Sequence, residues 1–233
     1  MTDIPAAWAP PSLPIAGHDA TFPVRRIFCV GRNYSEHVRE MGEDSRELPF
    51  FFMKPADSLL PEGRNFPYPS ETQNVHHEVE LVVALHKEGR NIPRPKAREH
   101  IFGYGVGLDM TRRDLQGEAK QKGRPWEVGK AFDHAAPCSR LYPAAEIGHP
   151  TEGRIALSVD DEERQVGDLS QMTWAVDELL SYLSRYFTLL PGDLVYTGTP
   201  AGVGPVLPGN RLHGTIERIG DLTCQVMPAA AQG

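Results

Sequence analysis

Cysteine is scarce. The 233-residue chain has three, Cys29, Cys138 and Cys224. Their number is odd and no two stand at CxxC spacing, which argues against a disulfide framework and against a thiolate metal site. Reduced thiols fit a cytoplasmic protein, and that is the expected location. Long apolar runs are missing as well: none approaches the roughly 18 residues of a membrane span, so no membrane partner is expected. Basic clusters are absent. A formal charge of −7 and a pI near 5.7 leave no electrostatic footprint for nucleic acid. The opening MTDIPAAWAPPSLPIAG has no basic stretch followed by an apolar one, so it reads as an N-terminal arm (1–24) on the body or on a partner subunit rather than a signal peptide.

What is present is ordinary globular composition, 40% hydrophobic and 24% charged. Residues 25–233 suffice for one domain with a substantial core. Glycine (22) and proline (21) are spread throughout, favouring many short strands and turns over long helices. RRIFCVGRNY, LPFFFMKPADSLL, HEVELVVAL and HIFGYGVGLDM read as strands, the second as a buried one. RIALSVDDEERQVGD alternates about an acidic turn and reads as a hairpin. NRLHGTIERIGDLTCQVM gives two more strands. Helices are expected at 34–42, at 111–123 with Thr111 as cap, and at 172–189, where Val176, Leu179, Leu180, Leu183 and Phe187 recur at helical spacing. The sum is a mostly-β, α+β domain with peripheral helices.

The chemistry starts at Glu78 and Glu80. Two residues apart on a strand, they point the same way, while Val79, Leu81, Val83 and Leu85 line the other face. Burying paired carboxylates is costly unless a cation neutralises them. The alternative is an exposed edge strand with two solvated glutamates. Asp109, at the end of FGYGVGLD, is either a helix cap or a third carboxylate of the same site. Three carboxylates without cysteine or HExxH make a hard oxygen site, suited to Mg²⁺, Mn²⁺ or Ca²⁺ rather than zinc.

His37 and Glu40 stand three apart on one face of the helix at 34–42. A carboxylate on one imidazole nitrogen makes the other a better base, so the pair can activate water, or it is simply a surface pair. Lys130, in WEVGKAFDHAAP, either snorkels to solvent or stabilises an oxyanion. Lys54 in FFMKPAD carries the same ambiguity and leans structural. TGTPAGVG (197–204) matches neither phosphate-loop nor dinucleotide pattern, though its N–H groups can hold a carboxylate.

VGRNYSEHVREMG, FFMKPAD, HHEVELVVAL, GYGVGLDMTRRDLQ, GRPWEVGKAFD, GDLSQMTW and LPGDLVYTGTPAGVGPV occur in this order in the fumarylacetoacetate hydrolase family, and the chain resembles that family from residue 25 onward. Within it, the resemblance is strongest to the branch that cleaves fumarylpyruvate in gentisate-type aromatic degradation. Single-domain acylpyruvases that also decarboxylate oxaloacetate follow. The resemblance implies a β-roll, a homodimer, and Mg²⁺ or Mn²⁺ on Glu78, Glu80 and Asp109. It implies a His37–Glu40 dyad on a lid, an oxyanion role for Lys130, and substrate contacts at Arg113, Gln116 and Thr199. The expected substrate is a 2,4-dioxo acid, and its distal carboxylate would meet Arg32 or Arg113. The outer hairpin departs from the family's VNGE-like turn by reading VDDE. Alternatives with the same metal site are decarboxylation of oxaloacetate and isomerisation of an unsaturated 2-oxo diacid. A metal-stabilised binding protein without turnover is the non-enzyme alternative.

Overall fold

The structure is a computed structural model that describes residues 8–34 and 46–229. In chain order its strands are β1 Ser12–Ile15, β2 His18–Pro23, β3 Arg26–Gly31, β4 Phe50–Lys54, β5 Leu59–Pro61, β6 Phe66–Pro67, β7 Val75–His77, β8 Val79–Leu85 and β9 Ile101–Leu108. There follow β10 Thr111–Arg112, β11 Ala136–Cys138, β12 Tyr142–Pro143, β13 Arg154–Val159, β14 Glu162–Asp168, β15 Asp193–Tyr196, β16 Gly204–Val206, β17 Arg211–Ile216 and β18 Gly220–Met227. The helices are α1 Arg113–Gln121, α2 Glu127–Lys130, α3 Ala144–Ile147 and α4 Val176–Tyr186. The mostly-β reading holds. None of the described helices is long and apolar enough to cross a membrane.

An eight-stranded sheet runs β4-β3-β15-β8-β9-β11-β5, with β12 beside β9. A five-stranded sheet runs β14-β13-β17-β18-β6, and β7 pairs with β10 and β16 in a small third one. Strand β8 sits in the middle of the large sheet, buried along its whole length. Its side chains part by parity, as the pleat requires. Val79, Leu81, Val83 and Leu85 join Val106, Leu108, Leu157 and Leu212 in the core between the two larger sheets. Val82 and Ala84 join Ile27, Cys29, Leu194 and Tyr196 on the other side. Leu13 and Phe22 of the β1–β2 hairpin close that second core, so the N-terminal arm is packed down from residue 12.

Three expectations need correction. The helix predicted at 172–189 spans only Val176–Tyr186, because the backbone before it is bonded elsewhere. Thr173 N donates to Asn33 O and Trp174 N to Asn33 Oδ1, at 2.7 and 2.8 Å. Thr111 does not cap α1; it lies in β10, paired with His76. And β4 is an edge strand rather than a buried one: it pairs only with β3 and leaves Phe50 and Met53 partly exposed. The helix expected at 34–42 falls mainly in 35–45, outside the described residues.

Candidate metal centre and active site

The strand expected through Glu78 is broken there. β7 ends at His77, β8 begins at Val79, and the two belong to different sheets. The break is held from both sides. Asp109 N donates to Glu78 O at 2.8 Å. Val79 N donates to Gln165 Oε1 at 3.1 Å, and the same oxygen meets His77 Nδ1 at 2.9 Å. Gln165 is fully buried, so each of these bonds satisfies a group that water does not reach.

Freed from strict alternation, Glu78 still converges with Glu80. Each of Glu78, Glu80 and Asp109 offers an oxygen within 4.8 Å of the others. Glu80 and Asp109 are buried and Glu78 nearly so, which rules out the reading as solvated edge glutamates. Asp109 arrives from the end of β9, two residues before β10 turns the chain into α1.

Three cations press on this cluster. Lys130 Nζ donates to Glu78 Oε2 at 2.9 Å, to Asp109 Oδ2 at 2.7 Å and to Thr111 Oγ1 at 2.6 Å, which uses all three of its protons. Burial works against that ammonium, but Asp109 and Glu78 outweigh it and hold its pKa above that of an ordinary lysine. Lys54 Nζ, fully buried, lies 2.8 Å from Asp109 Oδ1 and also bonds the carbonyl oxygens of Met110 and Lys130. It ties β4 to Asp109 and to the end of α2, which is the structural role. Arg113 pairs with Glu78 and donates to Gln116 Oε1 at 2.8 Å.

Glu80 is the exception. No lysine or arginine pairs with it among the described residues; its hydrogen-bond donor is the Gly198 N–H, at 2.7 Å. Burial, and then the Asp109 and Glu78 charges, push its carboxyl well above the usual range. At Asp109 burial also raises the pKa, but Lys130 and Lys54 overcome it and hold the carboxyl below its ordinary value. An all-oxygen cluster with one carboxylate left unneutralised is a donor set that fits a hard divalent cation.

The remaining expected residues are placed as follows. Gln116 is buried on α1 facing Arg113. Thr199 has its hydroxyl engaged, donating to Val79 O and accepting from Gln165 Nε2, both at 2.8 Å. Arg32 is exposed with a left-handed backbone (φ 54°) and makes no hydrogen bond or ion pair among the described residues. His37 and Glu40 lie outside the described residues. Sequence reasoning missed Thr111 and Gln165. Gln165 faces inward on β14, flanked by exposed Arg164 and Val166, and alternation along that strand was the only signal for it.

Gly129 makes the placement of Lys130 possible. A Cβ there would lie 2.9–3.0 Å from the Gln116 backbone and Cβ, so α2 packs this closely on α1 only with glycine at the contact.

The fumarylacetoacetate (FAA) hydrolase C-terminal family model matches residues 26–227. Fumarylpyruvate hydrolase from Pseudomonas aeruginosa, solved with Mn²⁺ and pyruvate, is 56% identical with a TM-score of 0.90, covering 96% of this chain and 98% of that one. Oxaloacetate tautomerase YcgM of Escherichia coli K12 is 44% identical over 84% of this chain and 90% of its own. Human mitochondrial oxaloacetate tautomerase FAHD1 is 40% identical over 87% and 91%. The chain belongs to the fumarylacetoacetate hydrolase family.

Proposed function

From membership in that family, we propose that the protein is a Mg²⁺- or Mn²⁺-dependent hydrolase that cleaves the C3–C4 bond of a 2,4-dioxo acid, fumarylpyruvate, giving fumarate and pyruvate. The observation that carries this reading is the 56% identity, across nearly the whole of both chains, to the fumarylpyruvate hydrolase. The convergence of Glu78, Glu80 and Asp109 beside Lys130 supports it.

Glu78, Glu80 and Asp109 hold the cation, which when bound supplies Lewis-acid polarisation of the 2-oxo acid head. The chain's own residues do the rest. His37, oriented by Glu40, takes a proton from the attacking water. The water adds to the 4-oxo carbon; collapse of that adduct breaks C3–C4, the electron pair leaves on C3 as the enolate of pyruvate, and the enolate takes up the proton that His37 removed. Lys130, kept charged by Asp109 and Glu78, donates to the oxygen that becomes negative. Its three protons are committed in the structure, so it exchanges one existing bond for this one. Gln116 and Arg113, bonded to each other beside Glu78, orient the substrate head. Gln165 fixes Thr199, and with it the TGTP loop whose Gly198 N–H holds Glu80.

A second reading has specific support: keto–enol tautomerisation of oxaloacetate, the activity named for the E. coli relative. It needs proton movement at C3 and no bond cleavage. The two separate in one experiment. Pyruvate release is followed with fumarylpyruvate, acetylpyruvate and oxaloacetate, with Mg²⁺ and with EDTA, beside the ultraviolet decay of enol-oxaloacetate. Metal-dependent release fastest from fumarylpyruvate is expected, and His37→Ala should lower its kcat on the order of 10²–10⁴-fold. Enol decay without pyruvate release from any dioxo acid would overturn hydrolysis in favour of tautomerisation.

A further inference from the structure

A groove runs from Lys130 to the outer edge of the large sheet, and the mechanism above leaves it unused. Its volume is about 340 Å³, and Phe50, Phe52, Trp126, Arg124 and Lys130 are among the residues lining it. Strand pleat ties it to the metal site. In the β3–β4 register Phe50 opposes Gly31, Phe52 opposes Cys29 and Lys54 opposes Ile27. Phe50, Phe52 and Lys54 therefore share one face of β4, and Lys54 on that face reaches Asp109. The Lys130 ammonium lies 5.2 Å from the Phe52 ring centroid. The Phe50 ring occupies the space a Cβ on residue 31 would need, its nearest atom 1.9 Å away, so Gly31 lets that ring lie flat on the sheet. Trp126 meets Phe50 edge-on at 5.6 Å and Phe52 at 5.9 Å. The walls are largely aromatic, with Arg124 and Glu127 the charged residues on the lining besides Lys130.

Arg124 lines the groove, and Lys120 reaches one of its walls. Arg113, Gln116 and Lys120 are spaced i, i+3, i+7 on α1 and so face the same way, as the Arg113–Gln116 bond shows for the first two. Lys120 Nζ sits 4.7 Å from the Trp126 ring centroid. Burial lowers its pKa, as do the charges of Arg113, Arg32 and Lys130, so it is within electrostatic reach of the site. No carboxylate among the described residues pairs with Lys120. Glu118, its neighbour, is taken by Lys122 at 2.5 Å, with Arg124 at 4.0 Å. Arg113 is already spent on Glu78. At 1.5 Å rise per residue Lys120 lies about 10 Å along α1 from Arg113. That is too far for the second carboxylate of a four-carbon diacid whose head is held near Glu78. It suits a seven-carbon one.

We propose that this groove is the acyl-arm subsite, with Lys120 the residue that selects a distal carboxylate on a planar arm laid against Phe50 and Trp126. This rests on the proposed 2-oxo acid chemistry and assigns the side chain that meets the distal carboxylate of such a substrate. The test is calorimetric binding, in Mn²⁺, of two unreactive ligands of equal length, 2-oxoheptanedioate and 2-oxoheptanoate. The native protein should bind the diacid at least tenfold tighter. Lys120→Met should remove most of that preference while leaving the monoacid within about twofold, and Lys120→Arg should restore it. Equal binding of the two ligands by the native protein, or an undiminished preference in Lys120→Met, would overturn the subsite alone. Binding of neither ligand would overturn both the subsite and the 2-oxo acid reading beneath it.

Discussion

Lys130 and Asp109 meet at 2.7 Å with both side chains buried, and Lys54 holds the other oxygen of the same carboxylate at 2.8 Å. Two ammonium groups on one aspartate fix its position from both sides. They also keep it ionised, as a cation ligand must be.

Lys130→Met is therefore expected to separate catalysis from cation binding. The loss of a charged donor at the developing oxyanion should lower kcat by about 10²–10³-fold. Mn²⁺ should still bind, since none of the three carboxylates is removed. Steady-state kinetics beside a Mn²⁺ titration checks both halves.

Glu80 gives a pH dependence. Its carboxyl is raised in the folded, metal-free protein, so between its ordinary pKa and the raised one the folded state holds a proton that the unfolded chain has released. Metal-free stability should then fall as pH rises through that window. Glu80→Gln keeps an acceptor for the Gly198 N–H without the buried charge. It should raise the metal-free Tm by a few degrees at neutral pH, the usual response of a domain this size to about 1–2 kcal/mol. It should also flatten the pH profile. Thermal melts of both proteins across pH in EDTA measure this.

Gln165→Leu should destabilise the protein by about 2–4 kcal/mol, because it strands Val79 N and His77 Nδ1 away from water and takes from the Thr199 hydroxyl one of its two bonds. Denaturant unfolding measures the loss. Mn²⁺ affinity should fall with it, since the strand break at Glu78 loses its latch.

Gly129→Val places a branched side chain where even a Cβ is 2.9 Å from the Gln116 backbone. Helix α2 must move, at a cost of about 1–3 kcal/mol. Lys130 moves with it, so kcat should drop by at least tenfold while fluorescence and circular dichroism report a folded protein.

Much of the site was legible because it follows local rules. The period-two pattern in VELVVAL correctly split the strand into two faces, and those faces head two separate cores. The spacing of Glu78 and Glu80, with Asp109 at a strand end, raised a shared carboxylate site as one of two readings, and the family resemblance selected it; the three do converge. What escaped depended on distant partners. The break at Glu78 is set by Gln165, 86 residues beyond Val79. The shortened α4 is set by Asn33, 141 residues before Trp174. Lys54 leans structural from its own segment, but that its partner is Asp109 could not be read there. No window of neighbouring residues contains such pairings.

The central claim is that Glu78, Glu80 and Asp109 hold the cation on which turnover depends. It is tested most directly by counting Mn²⁺ sites by electron paramagnetic resonance in the native protein and in Glu78→Ala and Asp109→Asn. One site per chain in the native protein, lost in both variants together with activity, is the predicted result. A native protein that binds no Mn²⁺, or variants that keep its affinity, would contradict the account.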